Sequence, residues 1–209
     1  MAGFYERWVG APLVNCLCGM GFISRYRALV VPQAEGEVLE LGIGSGLNLP
    51  HYDPDKVRKL TGVDPSMRMR ELGAARLAAA RFPVELIGLK GEDLDLPDAS
   101  MDTVVVTFSL CTIPDPLRAL TAARRVLKPG GKLLFLEHGR SPDAGVATWQ
   151  DRLNAAWKVL ACGCNLNRNV AGMIERAGFR VQDLSQAYSS GLPKPVGYLS
   201  WGRAEQASS

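Results

Sequence analysis

The sequence predicts an α/β protein built on one seven-stranded, mostly parallel sheet with an antiparallel edge strand, helices on both faces and an N-terminal helical cap. Three observations predict it. From residue 38 onward, short β-branched runs alternate with helical stretches, the grammar of parallel strands joined by crossover helices. Val104-Val105-Val106 is apolar on consecutive residues, as a strand buried on both faces requires. Near the C-terminus two strand-like runs follow each other with no helix between them, and such a pair closes antiparallel at an edge.

The elements follow in order. Trp8 to Ser24 is 17 residues without a charge, broken by Gly10, Pro12, Asn15, Gly19 and Gly21. That is too short and too interrupted for a spanning helix. Glu6 precedes it and no small-x-small cleavage site follows, so it does not read as a secretory signal. It is expected to be a buried or interfacial helical segment, with shallow membrane contact as the alternative. Strands are predicted at Val38–Gly42, Lys59–Val63, Val84–Gly88, Thr103–Leu110 and Lys132–Glu137. Ser66 to Arg81 is Ala- and Arg-rich and opens on a serine cap. Pro116 to Leu127 is amphipathic and ends in Lys-Pro-Gly-Gly, a stop signal. Trp149–Leu160 and Leu166–Ala177 read as helices, and Phe179–Leu184 and Tyr198–Gly202 as the closing strands. With 209 residues there is room for one core. The chain is therefore expected to be a single domain, with a cap or lid over residues 1–31, a ligand-binding core over 38–138 and acceptor-side helices and strands over 139–209.

Composition narrows the function. Apolar residues make up 47% and charged residues 22%, which excludes disorder and coiled coil. The net charge is +3 and the basic residues are scattered, so no nucleic-acid surface is expected. Five cysteines stand at 16, 18, 111, 162 and 164. A C-x-C pair is too tight for an ordinary disulfide, which points to a reducing, cytoplasmic setting. Neither His51 nor His138 lies at zinc-ligand spacing from a cysteine pair, so the spacing predicts no metal.

The most informative segment is Val38-Leu39-Glu40-Leu41-Gly42-Ile43-Gly44-Ser45-Gly46. A hydrophobic strand runs into three glycines at alternate positions, where a ligand can approach bare backbone. Leu47 stands where a dinucleotide fingerprint would carry its third glycine. Glu40, two residues ahead of Gly42, suits a ligand ammonium better than a pyrophosphate. The second strand ends in Val63-Asp64-Pro65, and an acid there reaches the two hydroxyls of a ribose. Gly91-Glu92-Asp93-Leu94 follows the third strand and offers a carboxylate to an exocyclic adenine amine. Each feature alone has a structural explanation, a tight turn or a helix cap. Together they line the crevice where open α/β sheets bind ligands.

These motifs, with Leu96-Pro97-Asp98-Ala99-Ser100-Met101-Asp102 and Arg125 to Gly131, resemble the class I S-adenosylmethionine-dependent methyltransferases over residues 38–138. The resemblance implies a Rossmann-like fold and S-adenosylmethionine as cofactor. It implies that Glu40, Gly42, Gly44, Ser45 and Gly46 border the methionine moiety, Asp64-Pro65 the ribose, and Glu92 or Asp93, with Leu94, the adenine. Thr107, Phe108 and Ser109 match the stretch facing the transferred methyl. Further on, Cys111-Thr-Ile-Pro-Asp115, Glu137-His138, Thr148-Trp149-Gln150 and Gly163 to Arg168 resemble the methyltransferase-like proteins that include membrane-associated alkyl-thiol S-methyltransferases, without the long N-terminal anchor of the animal members.

A thiol acceptor reacts as thiolate, which is partly populated near neutral pH, so a strong base is not obligatory. His138, ending the fifth strand, is the candidate for accepting a proton or orienting substrate; a histidine bonded within the fold is the alternative. Cys111, Trp149, Asn165 and Arg168 are candidates for the acceptor pocket, against core packing for the cysteine and helix packing for the tryptophan. Three functions are open: S-methylation of a small apolar thiol, N-methylation of a lipid head group or small amine, and cofactor binding by a sensor or scaffold. Arsenite methylation would need converging thiolates, for which Cys16, Cys18, Cys162 and Cys164 are the candidates.

Overall fold

The computed structural model describes Trp8 and residues 10–207; residues 1–7 and 9 of the expected cap, and the last two of the chain, lie outside the described residues. The elements are α1 (Ala11–Cys18), α2 (Gly21–Val30), β1 (Gly36–Leu41), β2 (Val57–Val63), α3 (Met67–Ala78), β3 (Val84–Ile87), β4 (Met101–Thr107), α4 (Pro116–Val126), β5 (Leu127–His138), α5 (Ala144–Leu160), α6 (Val170–Arg176), β6 (Phe179–Tyr188), α7 (Lys194–Gly197) and β7 (Tyr198–Gln206). They form one seven-stranded sheet in the order β3-β2-β1-β4-β5-β7-β6. β1 to β5 pair in parallel, and β7 is antiparallel to both neighbours. The last strand therefore inserts between β5 and β6, and β6 takes the edge. The order reverses between β1 and β4, which is where such sheets bind ligands.

Period-two alternation assigns the two faces. Leu39, Leu41, Val104, Val106, Leu133 and Phe135 pack with Leu120, Ala123 and Val126 of α4 and Met173 and Ile174 of α6. Val38, Val105, Leu134 and Leu136 pack on the other face with Val30 and Val31. The expected cap thus divides in two. α2 is a layer of the core, burying Ile23, Arg27 and Val30, with Tyr26 edge-on to Trp201 of β7 at 5.0 Å between ring centres. Among the described residues of that segment, α1 lies over the ligand end of the sheet, with Ala11 and Val14 on the cavity. Among the described residues, no helix is long and apolar enough to cross a membrane.

Several elements differ from the sequence reading: α5 starts at Ala144, β5 at Leu127, β6 runs to Tyr188, and the short α7 stands between β6 and β7. Two further differences have a plain local cause. β4 stops at Thr107 because Phe108 takes φ +52°, which turns the chain out of the sheet. The second acceptor-side helix begins at Val170 instead of Leu166, because the Asn169 side chain accepts from Gly172 N–H and starts the helix there.

Candidate functional site

A cavity of about 370 Å³ opens at the carboxyl ends of β1 to β4. Its floor is the glycine turn. Gly42 adopts φ +71°, and a Cβ there would run into Ser109 Oγ. Gly44 adopts φ +54° and presents bare backbone to the cavity. Its N–H donates to Asp64 Oδ2 at 3.0 Å, and Ser66 N–H donates to Asp64 Oδ1 at 2.7 Å. Two backbone donors thus aim the Asp64 carboxylate into the cavity. Burial raises its pKa, and the same two N–H groups oppose that rise. Pro65 and Ser66 complete this wall.

Glu92 and Asp93 part company. Glu92 lines the cavity, and its buried Oε2 has no hydrogen-bond partner. Asp93 points outward to an exposed ion pair with Arg118 at 3.1 Å. Leu94 is in the hydrophobic core behind the wall. Of these three, Glu92 alone lines the cavity, and a buried unpaired carboxylate oxygen is costly unless a ligand donor satisfies it.

Glu40, Ser45, Gly46 and Thr107 are not on the cavity wall either. Glu40 is buried beneath the glycine turn, accepting from Tyr52 O–H at 2.7 Å and Asn48 Nδ2 at 2.9 Å. Desolvation raises its pKa to about 7, against the pull of Tyr52, Arg27 and Asn48. Arg27, only 4% exposed, donates from α2 to Asn48 Oδ1 and, at 2.8 Å, to Thr107 Oγ1. Its guanidinium lies 5.2 Å from the Phe108 ring centre. Thr107 Oγ1 also accepts from Asn48. Ser45 Oγ donates to Asn15 Oδ1 of α1. These residues fix the turn and tie both N-terminal helices to it. Arg27, Asn48 and Tyr52 gave no signal in the sequence, since none belongs to a local motif.

The segment after β4 forms the far wall. Phe108, Ser109, Thr112, Ile113 and Pro114 face the cavity, opposite Ala11 and Val14 of α1 and beside Ala161 and Cys162 after α5. The buried Glu137 and the half-buried Arg168 hold this segment through its backbone. Glu137 accepts from the backbone N–H groups of Ser109 (2.6 Å), Leu110 (2.9 Å) and Cys111 (3.3 Å). Arg168 donates to the carbonyls of Leu110 and, at 2.7 Å, Ile113. Asn165 donates to Cys111 O at 2.9 Å. Arg168 and Asn165 therefore position the wall instead of touching an acceptor. Trp149 is 56% exposed beneath Arg152, away from the cavity, because the face of α5 that packs inward carries Ala147 and Gln150.

Cys111 and His138 stand one layer behind the wall. His138 stacks on Phe108, ring centres 6.4 Å apart, and its Nε2 lies 2.9 Å from Cys164 Sγ. Cys111, His138 and Cys164 have their donor atoms within 4.8 Å of one another. Sequence spacing could not show this, because the three come from different elements.

The cavity fits an adenosine-containing sulfonium cofactor: bare backbone at Gly44, a rigidly aimed Asp64 and the unsatisfied Glu92 oxygen. Fold and site together define a cofactor-binding α/β enzyme of the methyltransferase class. Residues 39–135 match the methyltransferase domain family. The rat thiol S-methyltransferase TMT1B is 37% identical over 183 residues, 86% of this chain and 72% of that protein. A phosphatidylethanolamine N-methyltransferase of Cereibacter sphaeroides is 37% identical over 49% of this chain and 51% of its own length. The solved SAM-dependent methyltransferase of Thermotoga maritima, a possible histamine N-methyltransferase, superposes with TM-score 0.65 at 24% identity over 97% of both chains. The chain belongs to the class I S-adenosylmethionine-dependent methyltransferases and lies close to the thiol S-methyltransferases among them. S-adenosylmethionine is its cofactor.

Proposed function

We propose that this methyltransferase acts on a small, uncharged thiol. The observation that carries the reading is the chemistry of the acceptor half of the cavity. Ala11, Val14, Phe108, Ile113, Pro114 and Ala161 are apolar, and only the hydroxyls of Ser109 and Thr112 and the thiol of Cys162 interrupt them. The acidic lining groups, Asp64 and Glu92, stand on the nucleotide side, and among the described residues no imidazole lines the cavity. An ammonium acceptor would need a base to take its proton and a carboxylate to receive its charge. A thiol near pKa ~8.5 needs neither. The named thiol methyltransferases among the relatives support the same acceptor class.

S-adenosylmethionine, when bound, supplies an electrophilic methyl group on a sulfonium that departs as a neutral thioether. The protein's part is placement and exclusion of water. We assign Asp64 to the ribose and Glu92 to the adenine. Gly42 and Gly44 give the close backbone approach, and Phe108 with the α1 residues Ala11 and Val14 shields the acceptor side. His138, behind Phe108, acts as a positioning residue for that ring. A methyl-transfer assay with labelled cofactor over matched thiols and amines tests the proposal. A thiol is expected to turn over faster than any amine of similar size, with kcat/KM rising with pH toward the acceptor's own thiol pKa. An amine or ethanolamine head group outpacing every thiol would replace this reading with N-methylation.

A further inference from the structure

None of Cys111, His138 and Cys164 lines the cavity, and methyl transfer uses only the contact of the His138 ring with Phe108. Cys111 follows β4, His138 ends β5, and Cys164 lies in the turn after α5. Both cysteines are buried and the histidine is half-buried. Two sulfurs and one imidazole nitrogen converge within 4.8 Å. A tetrahedral cation bound at ~2.3 Å from sulfur and ~2.0–2.1 Å from nitrogen places its ligand atoms about 3.5–3.8 Å apart. The observed separations, 2.9 Å between His138 Nε2 and Cys164 Sγ and at most 4.8 Å within the set, bracket that spacing.

The cluster is also scaffolded. The backbone of Cys111 is held at N–H by Glu137 and at C=O by Asn165, through both its side chain and its own N–H. Trp157 Nε1–H points at Cys164 Sγ, 3.4 Å away, a donor that suits a thiolate. His138 Nε2 lies 2.9 Å from Cys164 Sγ, so the ring already turns that nitrogen toward the sulfurs. The set contains no carboxylate or carbonyl ligand of the kind that magnesium and calcium prefer, and thiolate with imidazole selects zinc or another soft ion.

We propose that Cys111 Sγ, Cys164 Sγ and His138 Nε2 form a binding site for one thiophilic d10 cation, Zn²⁺ in the first instance, with the fourth position left to water or an exogenous ligand. Binding forms two metal–sulfur bonds and one metal–nitrogen bond. Each cysteine that binds as thiolate from its S–H form releases one proton to solvent, and the bound set is electrically neutral. The site would brace the wall that carries Phe108 by joining β4, β5 and the turn after α5. The inference does not depend on which acceptor is methylated.

The test uses the full chain, reduced and stripped by a chelator, titrated with Co²⁺ alone. One Co²⁺ per chain is expected, with sulfur-to-cobalt charge-transfer absorption, tetrahedral d–d bands and displacement by Zn²⁺. Cys111→Ser and Cys164→Ser should each weaken Co²⁺ binding at least about a hundredfold, while a Cys16→Ser/Cys18→Ser chain keeps it. Retained S-adenosylmethionine binding by the serine variants certifies that they fold. If one of them does not, His138→Gln, which keeps both cysteines, must lose the same absorption. Absence of charge-transfer absorption at saturating Co²⁺ would overturn the proposal, as would a signal that survives in Cys111→Ser/Cys164→Ser and disappears in Cys16→Ser/Cys18→Ser.

Discussion

Replacing Asp64 separates its two tasks. Its oxygens accept from Gly44 N–H at 3.0 Å and Ser66 N–H at 2.7 Å, and its remaining lone pairs face the cavity. Hydrogen bonds to a charged group contribute about 1.5–3 kcal/mol, and each ~1.4 kcal/mol is tenfold in affinity. Asp64→Asn, which discards the charge and turns one acceptor into a donor, should therefore weaken S-adenosylmethionine binding by roughly tenfold to 150-fold. It keeps one of the two backbone donors satisfied. Asp64→Ala satisfies neither. An unsatisfied buried donor costs about 1–3 kcal/mol, and because the site is half-buried, with water able to enter the emptied space, the lower end applies to each. The sum, about 2 kcal/mol, lowers Tm of a chain this size by about 4–8 °C. The asparagine variant should fall by about half as much. Calorimetric titration with the cofactor and thermal unfolding without it supply the two readouts. Affinity within twofold of wild type in Asp64→Asn, or an unchanged Tm in Asp64→Ala, would refute the reasoning.

Glu92→Gln should weaken cofactor binding by roughly fivefold to tenfold with little change in Tm, whereas Asp93→Asn, out at the Arg118 ion pair, should change neither; equal effects from the two would reject the assignment of the adenine contact. Because burial raises the Glu40 carboxyl to about 7 from 4.5, the folded state holds this proton more tightly than the unfolded chain. Its contribution to stability is therefore greatest below pH ~4.5 and is lost as pH rises through ~7, a change of about 3 kcal/mol. Unfolding of Glu40→Gln should lack this falling component, so the Tm of the variant relative to wild type should climb across that interval; parallel pH profiles would show that Glu40 does not titrate there. Deleting residues 1–18 should leave a folded chain that binds cofactor but turns over poorly, because α1 shields the acceptor side. Deleting residues 1–31 also removes Ile23, Val30 and Val31 from the core, about 5–8 kcal/mol of burial against a total stability of about 5–15 kcal/mol, so no soluble folded chain is expected; circular dichroism of the two truncations decides.

The sequence by itself determined the sheet, and the glycine turn and Asp64 at its carboxyl end, because these are local. Alternation of apolar residues sets a strand and its buried face, and in Val38 to Gly46 a strand, a glycine turn and the start of a ligand cradle lie within nine consecutive residues. Asp64 was legible for the same reason, at the end of a recognisable strand, and Glu92-Asp93 only as an acidic pair following the next one. Whether Glu92 or Asp93 faces inward depends on the local twist of the chain and on Arg118 waiting outside, one helix away. Only the tertiary structure put Arg27 of α2 against Thr107, 80 residues on, and so made part of an expected lid into a layer of the core. It also turned Trp149 to solvent, gave Arg168 the carbonyls of the segment after β4, and gathered Cys111, His138 and Cys164 from three elements into one cluster. Such contacts depend on how packed elements align across the sheet. A buried charge, or a pair of sulfurs, is matched to partners that are near in space and far along the chain, and no spacing rule carries that information.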